Sequence, residues 1–240
     1  MDLDTQLGTL SRSLGADYFG VADLSSAHDF ILEQGGERVA RYPKAVAIGM
    51  VLQDSLVDLL SDKDPEGAIL YRHNSYDVVN HMLDQIGVRV ANELQRAGFR
   101  ALPVPASRRT DDKNICGAFS QKLAAHLAGL GWIGKSCLLV TPDHGPRVRW
   151  VSILTDAPLR PTGSAMEPQC GDCTACVDIC PQNAFTGRPF YRDEPREARF
   201  DAATCDQYFR EMEKKKSVSV CGLCLYVCPH GRKSGSMTRQ

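Results

Sequence analysis

The stretch Cys170-Gly-Asp-Cys173-Thr-Ala-Cys176-Val-Asp-Ile-Cys180-Pro181 decides how the rest of the chain is read. A second run, Cys221-Gly-Leu-Cys224-Leu-Tyr-Val-Cys228-Pro229, follows it, and Cys205 stands alone between the two. Spacing of the form C-x2-C-x2-C-x3-C-P supplies thiolates to iron–sulfur clusters, and the fourth cysteine crosses to a second cluster. A cubane 4Fe-4S cluster takes four thiolates. The spacing therefore assigns Cys170, Cys173, Cys176 and Cys228 to one cluster, and Cys180, Cys205, Cys221 and Cys224 to another. Pro181 and Pro229 stop each run from continuing as helix. Gly171, Ala175 and Gly222 leave room for backbone N–H groups near the sulfides, and such hydrogen bonds raise a reduction potential.

Other uses of cysteine fit less well. A disulfide framework belongs to secreted chains, but Met1-Asp-Leu-Asp begins with acid and no basic region precedes an apolar stretch. Zinc also uses C-x2-C pairs. It does not explain a third cysteine two residues further on, or Cys-Pro closing both runs. The net charge is −1 and no apolar run reaches transmembrane length, so neither nucleic acid nor membrane is indicated. Ten cysteines in such a chain point to a reducing cytoplasm.

Ahead of the cysteines, periodicity predicts an α+β domain over residues 1–160, with a small ferredoxin-like double-cluster domain over 161–240. Leu3, Leu7, Leu10 and Leu14 share a helical face, and Gly15 follows as a C-cap. Residues 17–22 and 44–52 read as strands. Residues 75–97 read as the longest helix, capped by Ser75 and ended by Gly98, with Val79, Met82, Leu83, Ile86, Val90 and Leu94 on one face. Arg100 to Pro105 is extended, 107–114 is a loop, and 119–128 is a helix closed by Gly129-Leu-Gly131. Residues 136–141 and 147–155 read as two strands joined by a turn at Asp143-His-Gly-Pro146. The proline-rich 157–169 is a linker, and the basic tail from His230 is expected to fray. A double-cluster module needs little more than the end of the chain. The front domain must hold something for the electrons to act upon, or a partner that receives them.

Three segments in order resemble the epoxyqueuosine reductase family. They are Ala128-Gly-Leu-Gly-Trp-Ile-Gly-Lys135, Leu154-Thr-Asp-Ala-Pro-Leu159, and the cysteine runs with Ala203-Thr-Cys205 between them. The family carries a G-L-G-W-x-G-K loop, an L-T-D-x-P-L strand end, an isolated cluster cysteine and a closing C-x-x-C-x-x-x-C-P. The resemblance covers roughly residues 120–230 well, and 1–100 more weakly. It implies a cobalamin held base-off in the front domain beside one cluster, an arrangement shared with reductive dehalogenases. The cofactor then carries the reductive chemistry, and the protein orients it and delivers protons. Under this reading Gly129, Gly131 and Gly134 let the backbone approach the macrocycle, Trp132 lies along its edge, and Lys135 binds a propionamide or the nucleotide phosphate. Without the resemblance, the same stretch reads as a tight turn at a helix end with a core tryptophan.

The chain also departs from that pattern. The family places a catalytic aspartate in a V-D-S/T-x-P context before the helix leading to the Gly-Trp loop. Here the region reads Asn114-Ile-Cys116-Gly-Ala-Phe119, with Asp111 and Asp112 just upstream. The family's C-terminal helical repeats, which help hold tRNA, have no counterpart in the sequence. Both departures argue against tRNA epoxyqueuosine as substrate and toward a small molecule or a corrinoid protein. Cys116 and Cys137 remain after ligation. Cys116 is a candidate proton donor or cobalt ligand in place of the acid, or an inert thiol; Cys137 reads as core. Asp112 is a second candidate acid. His126 is a candidate proton relay, or a structural histidine. Three functions follow as expectations. The first is a cobalamin-dependent iron–sulfur oxidoreductase fed by a flavodoxin or ferredoxin type donor. The others are an electron-transfer module docking to an enzyme, and a tRNA reductase with a substituted acid. A flavin in the front domain is not excluded.

Overall fold

The computed structural model describes residues 2–61 and 65–232. Most of the basic tail expected to fray lies outside these residues. The helices are α1 Leu3–Ser13, α2 His28–Gly35, α3 Glu37–Ala40, α4 Asp54–Asp58, α5 Pro65–Arg72, α6 Val79–Arg96, α7 Gln121–Leu127, α8 Ala175–Asp178, α9 Ala202–Lys214 and α10 Leu223–Tyr226. The strands are β1 Tyr18–Asp23, β2 Lys44–Val51, β3 Ala101–Val104, β4 Trp132–Ile133, β5 Leu139–Val140 and β6 Val148–Thr155.

The chain forms two compact units, but not by a single cut near residue 160. One unit comprises Met1–Met50, Ser75–Leu130 and Arg149–Met166; the other comprises Val51–Asn74, Gly131–Val148 and Glu167–Gln240. Two segments expected in the front domain thus belong with the cysteines. The boundary runs through the Gly-Trp stretch, between Leu130 and Gly131.

The first unit is built on a four-stranded sheet in the order β1-β2-β6-β3. β1 and β2 are antiparallel, with Tyr18 opposite Gly49 and Asp23 opposite Lys44. β3 and β6 are also antiparallel, with Ala101 opposite Thr155. Ala45 to Gly49 of β2 are all buried, as expected of a central strand covered on both faces. Leu83, Ile86, Val90 and Leu94 form the buried stripe of α6. A methyl at Gly87 would lie 3.3 Å from Val151 Cγ2, so the missing side chain lets α6 close on β6.

The sequence reading of this unit needs two corrections. α6 starts at Val79, not at a Ser75 cap, because residues 73–78 form a π-helical turn. With helical backbone ahead of Val79, no side-chain cap is required, and Ser75 is fully buried. Met82 points outward, 39% exposed, although it was assigned to the apolar face.

In the second unit β4 and β5 form a minimal antiparallel pair, Trp132 opposite Val140 and Ile133 opposite Leu139. The strand expected over 136–141 is therefore only two residues long, and it does not pair with 147–155. Cys137, at φ 54°, and the Gly134 N–H to Leu138 carbonyl bond curl 134–138 back onto β4. The expected turn does exist, as reciprocal bonds between Thr141 and Gly145, but β6 beyond it joins the other unit's sheet.

The buried Arg147, 2% exposed, explains why the early segment 51–74 belongs here. It donates to Asp54 Oδ1 at 2.9 Å and Asp58 Oδ1 at 2.8 Å on α4, and its stem lies under Gly231. A methyl at Gly222 would lie 2.8 Å from Leu60 Cδ1 and 3.4 Å from the Tyr71 hydroxyl. Among the described residues, no helix is long and apolar enough to cross a membrane.

Candidate metal centre

The seven run cysteines and Cys205 all lie in the second unit, several of them on short turns that orient the thiols. Cys176 is on the single turn α8, Cys224 on the single turn α10, and Cys205 in the first turn of α9. Asp201 caps α9 by accepting from the Thr204 N–H at 2.9 Å. Gly171, at φ 50°, and Gly222, at φ 72°, supply the left-handed turns that let each run reverse.

The thiols form two electrostatic neighbourhoods that meet at Cys224, on which Cys176 acts as well. Cys176 feels Cys170, Cys228 and Cys173. Cys205 feels Cys221 and Cys180, and Cys224 feels Cys221 and Cys205 most strongly among the thiols around it. The first cysteine of each run thus meets a residue from far along the chain. Burial is the main cause of the raised thiol pKa values, with the neighbouring sulfurs second. Cys176 and Cys205 are pushed up to about 11, and Cys224 higher still. Such thiols are poor ligands until iron displaces their protons, so cluster assembly and ionisation are coupled.

Backbone amides already point at the sulfurs. Ala184 N–H donates to Cys180 Sγ at 3.4 Å. His230 and Gly231 donate toward Cys228, and Leu223 toward Cys221. Pro229 opens the 3-10 turn Pro229–Gly231 that aims those two amides. Among the described residues, no three His, Cys, Asp or Glu side chains form a site for a single metal ion.

Gly131, Trp132, Gly134 and Lys135 pack within the second unit, and Gly129 lines the groove beside α1 in the first. A methyl at Gly131 would lie 2.3 Å from the Val140 carbonyl oxygen, and one at Gly134 2.9 Å from Val140 Cγ2. At Gly129 the neighbours are Gly163 and Ser164, at 3.1 Å. These glycines admit the protein's own backbone. Trp132 is 1% exposed and meets His230 edge to face, with ring centroids 4.9 Å apart. Lys135, 9% exposed, donates to the carbonyl oxygens of Gly171 at 2.8 Å and Cys173 at 3.1 Å. Its predicted role on a cofactor tail is therefore replaced by a role on the first cysteine loop.

The candidate acids are scattered over the first unit. Asp111 and Cys116 exchange backbone bonds across their loop. The Asp111 carboxylate accepts from Asn114 N–H at 2.9 Å and Asn114 Nδ2 at 2.6 Å, which holds its pKa below the usual range. Asp112 is exposed, 3.5 Å from Arg109. Cys116 is half-buried. His126 is buried on α7, and its carbonyl accepts from Gly129 N–H. Cys137 is buried, as expected of a core residue.

Sequence reasoning passed over a polar cluster where β6 begins. Arg149 lies over the Tyr76 ring, 4.1 Å from its centroid, and donates to Asn80 Oδ1 and Ser107 Oγ. Ser107's positive φ of 54° was the available signal only in the structure. The same unit has a groove of about 600 Å³ between α1, β1 and residues 160–162, where Arg160 is held by Asp2 and Asp4.

A family model described as a 4Fe-4S double cluster binding domain matches residues 169–231. The epoxyqueuosine reductase of Pseudomonas aeruginosa is 29% identical over 95% of this chain and 63% of its own length. That of Aliivibrio fischeri is 26% identical over 98% of this chain and 62% of its own. The chain thus spans about three fifths of the length of these two relatives. Among solved structures, a reductive dehalogenase interpreted in terms of B12-dependent dehalogenation aligns with TM-score 0.68 at 21% identity, over 95% of this chain and 31% of that one. An epoxyqueuosine reductase aligns with TM-score 0.60 at 19% identity, over 95% and 65%. Sequence similarity, the cluster-domain match and the shared fold agree: the chain is similar to epoxyqueuosine reductases and carries a 4Fe-4S double cluster binding domain over residues 169–231.

Proposed function

We propose that the chain is a cytoplasmic oxidoreductase that takes single electrons from a flavodoxin or ferredoxin type donor, passes them through two 4Fe-4S clusters, and delivers them to an acceptor held by the first unit. The observation that carries this reading is the gathering of eight cysteines in one unit, with Cys170, Cys173 and Cys228 acting on Cys176 and with Cys180 and Cys221 acting on Cys205; we assign Cys170, Cys173, Cys176 and Cys228 to one cluster and Cys180, Cys205, Cys221 and Cys224 to the other. We further propose cobalamin as the acceptor, from the likeness to a B12-dependent dehalogenase. When bound, cobalamin would supply the reductive chemistry. Its contacts would have to come from residues other than Gly131, Trp132, Gly134 and Lys135, which are committed to the cluster unit. The substrate proposed is a small molecule or a corrinoid partner.

Anaerobically reconstituted protein should carry about eight irons per chain, two clusters of four. Mixed with cobalamin at micromolar concentration, it should retain corrin absorbance through gel filtration. About four irons would refute the two-cluster reading, and corrin eluting free would refute the acceptor.

A second reading is favoured by the relatives, which are named epoxyqueuosine reductases. One solved relative is in complex with an epoxyqueuosine-modified tRNA stem loop. If this chain acts on the same nucleoside, Asp111 is a poor proton donor because Asn114 keeps it ionised. Asp112 then becomes the acid to test. Queuosine formation on tRNA, unchanged in Asp112→Ala, would remove it.

A further inference from the structure

We propose that Lys135 raises the reduction potential of the cluster on Cys170, Cys173, Cys176 and Cys228 above that of its neighbour, making it the first to accept an electron. The inference rests on the two-cluster reading above.

The ammonium group is almost wholly removed from water and spans the first cysteine loop, 2.8 Å from the Gly171 carbonyl oxygen and 3.1 Å from that of Cys173. Both acceptors are main-chain atoms between or on ligand residues. The lysine therefore pins the loop's backbone and sets a full positive charge beside it. Among the described residues no carboxylate forms an ion pair with Lys135, although Asp172 stands in the same loop between its two acceptors. Reduction adds one negative charge to a cluster. A nearby cation favours that state, and more strongly where water does not screen it. Around the second set of cysteines the charges are mixed, with Arg232 over the Tyr226 ring and Asp206 paired to Arg210 at 2.7 Å. Asp206 and Asp201 are the carboxylates that act on Cys205. The electrostatic asymmetry within one unit orders the two clusters, so electrons settle on the Lys135 side.

The test is a redox titration followed by EPR on anaerobically reconstituted full chain, comparing wild type with Lys135→Gln, Lys135→Arg and Lys135→Met. Glutamine can still donate to both carbonyls but carries no charge, so it separates charge from anchoring. In wild type, two one-electron steps are expected. Lys135→Gln should shift only the upper step, making that cluster about tenfold harder to reduce, about 59 mV for a one-electron couple. Lys135→Arg should hold the wild-type value. Lys135→Met should lose the iron of that cluster alone. If Lys135→Gln itself loses one cluster's iron while Lys135→Arg keeps it, the anchoring role stands. The proposal is overturned if Lys135→Gln keeps its iron and both steps stay unmoved, if only the lower step moves, or if all iron is lost. Wild-type protein lacking two clusters would instead defeat the cluster assignment, a result visible before any variant is made.

Discussion

The cysteine runs and the Gly-Trp stretch are both dense motifs, and the structure treats them differently. In the runs, Cys176 lies among Cys170, Cys173 and Cys228, as the spacing leads one to expect, and Cys228 comes to them from far along the chain. In the Gly-Trp stretch, the residues keep the compactness expected of them but change what they are compact against. Gly131 and Gly134 make room for Val140, Trp132 lies against His230, and Lys135 holds the first cysteine loop. A thiol row has few chemical uses, and its spacing excludes most of them. Glycine, tryptophan and lysine have many uses, and only the group placed opposite selects among them.

The strongest attack on this comparison removes a thiol. Cys173→Ala should cut iron from about eight to about four per chain and leave the other cluster's EPR signal intact. Loss of all iron would mean that the two sets are not separable.

Arg147→Met tests the tie between the early segment and the cluster unit. The variant leaves Asp54 and Asp58 half-exposed, not buried, so the cost should fall at about 2 kcal/mol, below that of an orphaned buried charge. Chemical denaturation would read it.

Two glycines sharpen the contrast further. Gly131→Ala meets a carbonyl oxygen at 2.3 Å and should destabilise by about 2 kcal/mol. Gly171→Ala meets nothing within 4 Å and is opposed only by its φ of 50°, so about 1 kcal/mol is expected. The reverse order would show that the first cysteine loop, not the Gly-Trp stretch, is the crowded one.

The front unit supplies a milder pH test. Asp156 accepts from Arg100 through both backbone and side chain, and this holds its carboxyl below the ordinary range. A depressed folded-state pKa contributes stability above the unfolded value of about 4, and that contribution disappears as pH falls through the folded value. Wild-type melting temperature should therefore drop more steeply than that of Asp156→Asn between neutral pH and pH 3. The smallest effect is expected from Cys116→Ser, within about 0.5 kcal/mol by thermal melting, since Cys116 is only half-buried.

Much of the fold was legible from periodicity. α1, β1, β2, α7 and β6 lie where the apolar pattern put them, because helical repeats and near-continuous apolar strand runs are both local signals. The start of α6 was not legible, since a serine before an apolar run looks the same whether it caps a helix or lies in a π turn. Nor was the pairing of 136–141. A two-residue strand is decided by Cys137's left-handed backbone, which has no signature in sequence. Among site residues, the polar cluster of Arg149, Tyr76, Asn80 and Ser107 was invisible because its members come from three separated segments.

By itself, the sequence determined that this chain is built to carry two iron–sulfur clusters and that an α+β body precedes them. Thiolate spacing and hydrophobic period are local, and local patterns survive without knowledge of the fold. Only the tertiary structure decided which side chains stand behind those clusters. It drew residues 51–74 and 131–148 into the cluster unit and brought the Lys135 ammonium onto the carbonyls of the first cysteine loop. That assignment depends on contacts between residues distant in sequence, and the energy of a buried charge is set by what surrounds it in space.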